Sequence, residues 1–192
     1  MSTLKDIKEE YLNSPQEYIK NIESSIGINI YKLDIIEDTE IFKRLINNVL
    51  NFKVDNIICS KPFVINTLVE EPKGFILKIH NCLTFHYGNK GFIRISPTKD
   101  NKIELTRIET SEPQKGIGSE LMDFLFHFLE STLGFIPPVQ AELTGAVGMG
   151  HTYKATPINK QQMFFEKHGF LVVDKQRLIR MEKPFENRRL NI

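Results

Sequence analysis

A strand-like run that passes through a glycine loop into a strongly apolar helical segment constrains this 192-residue chain more than any other feature. The run covers residues 103–108, and the apolar segment covers residues 119–132. The residues at the corner are Gln114, Lys115, Gly116, Ile117, Gly118 and Ser119. Glycine lets backbone N–H groups approach an anion, and the first N–H groups of a helix are unpaired at the positive end of its dipole. The corner therefore predicts a phosphate-binding loop.

The composition argues against several classes of protein. The chain has 41% hydrophobic and 26% charged residues and a net charge of +1, so it has no general attraction to nucleic acid or anionic lipid. The first residues are charged and lack the apolar core of a signal peptide, and no apolar run approaches membrane-spanning length. Cys59 and Cys82 do not form a CxxC pair, and the histidines form no HxH or HxxxH pair. We therefore expect a cytoplasmic protein without a metal site or a disulfide.

The order of elements is predicted from periodicity and turn residues. Residues 1–27 are expected to form a helical N-terminal extension, because Ser14, Pro15 and Glu17 are typical of a capping box and Gly27 can end the helix. Residues 28–192 are expected to form one domain. Its first half is predicted to contain a strand over 28–36, a helix over 40–52, a helix and a loop within 53–73, and short strands over 75–79, 83–87, 92–96 and 103–108. Its second half is predicted to contain a helix over 119–132, a strand over 139–143, a helix over 159–168, and a hairpin over 171–173 and 178–181.

This order and two local motifs resemble the GNAT superfamily of acyl-CoA-dependent N-acyltransferases. Gly116 and Gly118 match the glycines of the family's (Arg/Gln)-x-x-Gly-x-(Gly/Ala) loop, and Ile108 matches the hydrophobic residue that closes the preceding strand. The stretch MFFEKHGF, residues 163–170, looks like the family's aromatic-rich helix that ends in Gly-Phe. In two places the chain departs from the pattern. Pro113 occupies the Arg/Gln position, and Phe165 stands where many members carry tyrosine as a general acid.

The resemblance implies an α/β protein of the α+β mixed-sheet kind with a GNAT-like fold. An antiparallel meander would be followed by β-α-β-α-β-β, and the central sheet would splay open between the strand that ends at Ile108 and the strand over 139–143. Acetyl-CoA would lie in this opening, with its phosphates on residues 114–119 and its pantetheine arm along the backbone of Thr106, Arg107 and Ile108. The second motif would add cofactor contacts from Asn159 and Phe165.

The resemblance also implies an enzyme, an N-acetyltransferase. An acetyl group would pass from acetyl-CoA to a primary amine of a small molecule or protein, by direct attack in a ternary complex. The backbone N–H of Thr106 would polarise the acyl carbonyl. Tyr153 is the candidate acid, since Phe165 cannot donate a proton. The alternative is a non-catalytic acyl-CoA-binding regulatory module, and a homodimer is left open.

The proton acceptor is chosen among three carboxylates near the expected opening. We prefer Glu109 to Glu104 and Glu142 because it lies nearest the point where the strands should part. The alternatives are an ordinary outward-facing strand carboxylate for Glu104 and an ordinary loop carboxylate for Glu109. A bulky side chain at Gly118 is expected to crowd the pyrophosphate and to leave the fold largely assembled.

Overall fold

The structure is a computed structural model that describes residues 2–52, 54, 56–112, 115–143, 156–175 and 179–187. The helices in this part are α1 (Leu4–Asn13), α2 (Pro15–Ile26), α3 (Glu40–Val49), α4 (Ile117–Leu133) and α5 (Ile158–Lys167). The strands are β1 (Ile30–Ile36), β2 (Ile57–Cys59), β3 (Phe63–Glu71), β4 (Gly74–Tyr87), β5 (Gly91–Pro97), β6 (Ile103–Thr110), β7 (Val139–Leu143), β8 (Leu171–Asp174) and β9 (Ile179–Lys183). None of these helices combines the length and the apolar character that crossing a membrane requires.

The strands form one mixed sheet in the order β1-β4-β5-β6-β7-β9-β8, and β2 and β3 also pair with β4. The meander β4-β5-β6 is antiparallel, and β7 runs parallel to β6 because α4 carries the chain back across the sheet. The final strands β8 and β9 form an antiparallel hairpin, with β9 inserted beside β7. The expected mixed α/β architecture, a meander followed by β-α-β-α-β-β, is confirmed.

Two predictions about the first half of the domain are wrong. Residues 57–71 contain β2 and β3 rather than a helix, because β3 pairs with β4 over its whole length. The predicted strands over 75–79 and 83–87 are one strand, β4. The polar residues between them stay in the sheet because they find partners: the His80 ring lies 3.2 Å from the Thr67 hydroxyl, and the Asn81 amide donates to Asp38 at 2.8 Å.

The capping box predicted at Ser14 is also wrong. The Ser14 hydroxyl donates to the carboxylate of Glu17 and does not cap the backbone of α2. A capping box is present instead at the start of α1, where Thr3 and Asp6 bond each other's backbone N–H groups. Gly27 ends α2 with a φ of 70°, as expected.

Two apolar clusters hold the elements together. The larger one packs α3, α4 and α5 against one face of the sheet, and the rings of Phe52, Phe85, Phe124 and Phe128 meet there with centroids 4.9–5.8 Å apart. The smaller one packs α1 and α2 against β1 and the first half of β4. The division of the chain at residues 27 and 28 stays a prediction.

Candidate functional site

The strands β6 and β7 part soon after they begin. Their parallel pairing is limited to Ile103 with Val139 and Glu104 with Gln140, whereas β6 stays paired with β5 as far as Thr110. In the part of the chain that the structure describes, the β7-facing edge of β6 therefore has no strand partner from Leu105 onward. This parting lies between the two strands where the sheet was expected to splay.

A β-bulge lies on the open part of β6. Leu105 opposes Ile95 and Arg107 opposes Arg94, so that Thr106 has no counterpart on β5. Bulges redirect backbone groups and recur beside functional sites. Beyond the bulge, Ile108 packs on the larger apolar cluster, and the side chain of Arg107 forms an ion pair with Glu109.

The open edge of β6 leads to the first turn of α4. Gly116 is the N-cap of this helix with a φ of 83°, and no described side chain caps the helix there. A Cβ at Gly116 would meet no atom of the described residues within 4 Å. The first N–H groups of a helix lack partners within the helix and can bind an anion; that this turn binds a phosphate stays a prediction. Pro113 and Gln114 lie outside the described residues.

Gly118 faces α5 rather than open space. A Cβ there would lie 3.3 Å from Cε2 and 3.4 Å from Cζ of Phe164, and 3.8 Å from Cγ2 of Thr110. The glycine at position 118 therefore permits the close approach of α4 and α5. The expectation that a bulky side chain there would also crowd the pyrophosphate stays a prediction.

Two basic residues at the end of α5 reach the start of α4. The Lys167 ammonium lies 3.4 Å from the Ser119 hydroxyl, and Nε2 of His168 lies 3.2 Å from the same oxygen. Lys115 projects into solvent and pairs with Glu112. Sequence reasoning missed Lys167 and His168, although both stand directly before the Gly-Phe pair of the second motif.

The imidazole of His168 is largely buried beside Ser119. Its side chain is 8% exposed, and its ring lies 4.8 Å from the ring of Phe164. Burial lowers the pKa of His168; Asp123 opposes the shift, and Lys167 and Lys183 reinforce it. Asp123 Oδ1 lies 3.9 Å from Nδ1, which is too far for a hydrogen bond, and its side chain is 76% exposed. Asp123 therefore biases the imidazole electrostatically but does not hold it as in a catalytic triad.

The three carboxylates have different surroundings. Glu104 occupies the last paired position before β6 and β7 part. Burial raises the pKa of Glu104, with Lys78 and Arg180 opposing the shift and Glu142 reinforcing it. Glu142 is held by Arg180 at 2.7 Å.

The strands part at Glu104, so the positional reason for preferring Glu109 is wrong. Glu109 lies further along β6 and is paired with Arg107. Among the described residues, the Glu104 carboxylate makes no hydrogen bond or ion pair, although the Glu104 backbone is paired in the sheet. Which carboxylate accepts the proton stays a prediction.

The second motif is placed beside this site. Phe165 is 5% exposed and lies in the larger apolar cluster, with its ring 5.0 Å from that of Phe170. Asn159 is exposed in the first turn of α5, where its side chain accepts the N–H of Lys160 at 3.0 Å. Contacts of Asn159 and Phe165 with a cofactor stay predictions. Tyr153 lies outside the described residues.

No group of three His, Cys, Asp or Glu side chains that could hold a metal ion occurs in the described ranges. The described residues bring together an open strand edge, a helix start without a side-chain cap but with basic neighbours, and a partly buried carboxylate where the strands part.

The chain is similar in fold to solved acetyltransferase structures. A PaiA N-acetyltransferase from Thermoplasma acidophilum in complex with coenzyme A is 20% identical over 54% of this chain and 59% of its own, with a TM-score of 0.39. A GNAT family acetyltransferase from Elizabethkingia anophelis with acetyl-CoA bound is 12% identical over 68% of this chain and 99% of its own, with a TM-score of 0.40. An acetyltransferase from Bacillus subtilis in complex with CoA is 15% identical over 55% of this chain and 76% of its own, with a TM-score of 0.38. No family model and no curated protein matches the sequence.

Proposed function

We propose that this chain is an N-acyltransferase that uses acetyl-CoA and a primary amine. The observation that carries the proposal is the continuity of the open edge of β6 with the uncapped start of α4. Pantetheine is an extended chain with two amide groups, and such a chain can pair with an unpaired strand edge as an added strand does. The phosphates attached to it would then reach the helix start, where anions are stabilised.

The basic side chains at the helix start support the phosphate end of this arrangement. Lys167 and His168 contact Ser119, and Lys115 lies in the loop before α4. A cation near a phosphate adds attraction to that of the helix dipole. As far as the structure describes the chain, no atom lies within 4 Å of the Cβ position of Gly116, so that a ligand atom can approach the backbone closely there.

The chemistry would be direct transfer. The lone pair of the amine attacks the thioester carbon, the carbon–sulfur bond breaks, and the thiolate takes up a proton. The amine loses a proton to a carboxylate, directly or through water. The N–H of Thr106, in the bulge, is the candidate donor to the developing oxyanion.

Glu104 is the best-placed proton acceptor among the three carboxylates. It stands where the strands part, and burial makes it a stronger base than an exposed glutamate. Glu109, in its ion pair with Arg107, is the weaker candidate. Tyr153 remains the candidate acid.

The second candidate function is a non-catalytic acyl-CoA-binding module. Phe165 favours it, because a buried phenyl ring stands where many GNAT members carry the tyrosine acid. A free thiolate can depart without that acid, at a cost of about 10²–10⁴-fold in rate.

One experiment separates the two functions. Thermal unfolding is measured with acetyl-CoA and with the two parts of coenzyme A, pantetheine and 3′-phospho-ADP, and released thiol is then followed across a panel of amines and peptides. At a ligand concentration of about 100 times Kd, acetyl-CoA should stabilise the folded state by about 2.7 kcal/mol. Stabilisation without thiol release would favour the binding module, and the absence of any shift at millimolar acetyl-CoA would refute both functions.

A further inference from the structure

We propose that His168 belongs to the anion site at the start of α4 and takes up a proton when a phosphate group of the ligand binds there. The inference rests on the proposed function of the same site. Its structural basis is the contact that joins the imidazole of His168, at the end of α5, to the hydroxyl of Ser119, in the first turn of α4.

A serine hydroxyl has a single proton to donate. When Nε2 of His168 carries no proton, it accepts the Ser119 hydroxyl proton across the 3.2 Å contact, and the hydroxyl cannot donate to a ligand. When His168 is an imidazolium, Nε2–H donates to Ser119 Oγ and the hydroxyl proton turns toward the phosphate. One proton is taken from solvent, and no covalent bond other than N–H is formed.

Asp123 favours the tautomer that this exchange needs. Its Oδ1 lies 3.9 Å from Nδ1, which is too far for a hydrogen bond, but the negative charge of the carboxylate attracts the positive end of an N–H dipole. A neutral imidazole therefore lowers its energy by placing its proton on Nδ1 and leaving Nε2 as the acceptor of the Ser119 hydroxyl. The free protein would hold the hydroxyl in its non-donating orientation.

The charges around His168 keep it neutral until an anion arrives. Asp123 of α4 favours the imidazolium, and Lys167 of α5 and Lys183 of β9 disfavour it. The Lys183 ammonium is partly compensated by Glu186 at 3.3 Å. Burial also lowers the pKa of His168. A bound phosphate adds negative charge beside Ser119, which reverses this balance and favours the protonated ring.

The test is calorimetric titration of CoA into the protein near pH 7, in two buffers with different heats of ionisation. The difference in binding heat gives the number of protons taken up per CoA. The wild type should take up more protons than His168→Gln, whose amide keeps a donor but does not titrate. The wild-type affinity should also fall with rising pH, by up to about tenfold per unit, and more steeply than that of the variant.

Comparison with the variant is needed because the phosphates of CoA titrate in the same range. His127→Gln is the matched control, since His127 is another histidine of this region but is exposed on α4 and lies 3.4 Å from Ser131. This variant should bind CoA with wild-type proton uptake. Equal uptake in the wild type and His168→Gln would overturn the inference and leave the proposed function intact.

A second measurement does not depend on any variant. Carbon-13 NMR of the histidine side chains should show one buried imidazole whose pKa rises when CoA is added to the wild type. An imidazole that stays neutral in the CoA complex at pH 6 would refute the inference. If CoA does not bind at all, the proposed function fails, and this inference fails with it.

Discussion

Replacing Gly118 with valine tests the close approach of α4 and α5. An added Cβ would lie 3.3–3.4 Å from two carbons of the Phe164 ring. Alanine requires the ring to move by only a few tenths of an ångström. Valine adds two methyl groups on the same carbon, so that Phe164 has to shift and α5, which carries His168, has to move with it.

The cost can be estimated from this packing. Overpacking by extra methyl groups costs about 1–3 kcal/mol. For a chain of this size each kcal/mol lowers Tm by about 2–4 °C, so Gly118→Val should lower Tm by roughly 2–12 °C. In Gly118→Ala, the gain of up to about 1 kcal/mol from better helix propensity offsets the milder crowding, and the net effect should be small.

The assay is thermal unfolding of the single variants Gly118→Val and Phe164→Leu and of the double variant that combines them. Leucine removes the ring edge that the valine would meet, so the double variant should recover part of the lost stability. Because the two side chains would be in contact, the coupling energy should be about 0.5–3 kcal/mol. Additive effects of the two substitutions would refute the contact as the cause. A Gly118→Val variant with unchanged Tm but no CoA binding would show that the side chain enters the ligand path instead.

Substitutions at two further positions separate backbone from charge effects. Gly116→Ala should cost about 1–2 kcal/mol through its positive φ alone, since no atom of the described residues lies within 4 Å of the added Cβ. Gly116→Asn should cost less, and equal denaturation midpoints for the wild type and Gly116→Ala would contradict this. Glu104→Gln should raise the free energy of unfolding at pH 7 but not near pH 4. Because the pKa of Glu104 is raised in the folded state, the wild type loses stability as the pH rises above the usual glutamate value, and glutamine, which does not ionise, avoids that loss. The same variant should lower turnover by about 10²–10⁴-fold if Glu104 is the base, and a lower Tm at pH 7 would contradict the assigned burial cost.

Local sequence patterns, such as apolar periodicity and glycines at helix ends, predicted much of the fold. The apolar residues around α4 indicated a buried helix, and Gly27 and Gly116 stand at helix ends with positive φ, as their positions in the sequence suggested. Such signals depend on the conformation of a few neighbouring residues. They were wrong for residues 57–71, where pairing of β3 with β4 overrides the local pattern.

The candidate site was likewise predicted only in part, in its loop but not in its choice of carboxylate. The loop at Gly116 was predicted from its residues, and the parting of two strands was implied by the resemblance to the GNAT superfamily. The choice of Glu109 was wrong in its positional reason, because the parting point depends on the register of β6 with β7, which brings Glu104 opposite Gln140. No pattern along the chain contains that register.

The sequence by itself determined the local parts of this protein: a glycine corner between a strand and a buried helix, an aromatic helix before Gly169, and the alternation of the meander. Only the tertiary structure decided which distant groups meet. Ser119 and His168 are 49 residues apart, and they touch because Gly118 lets Phe164 pack closely against α4. Burial shifted the pKa values of Glu104 and His168 in opposite directions, since a low-dielectric surrounding disfavours the charged form of each. Burial is a property of the packed elements together, and for that reason it could not be obtained from either residue's neighbours in the chain.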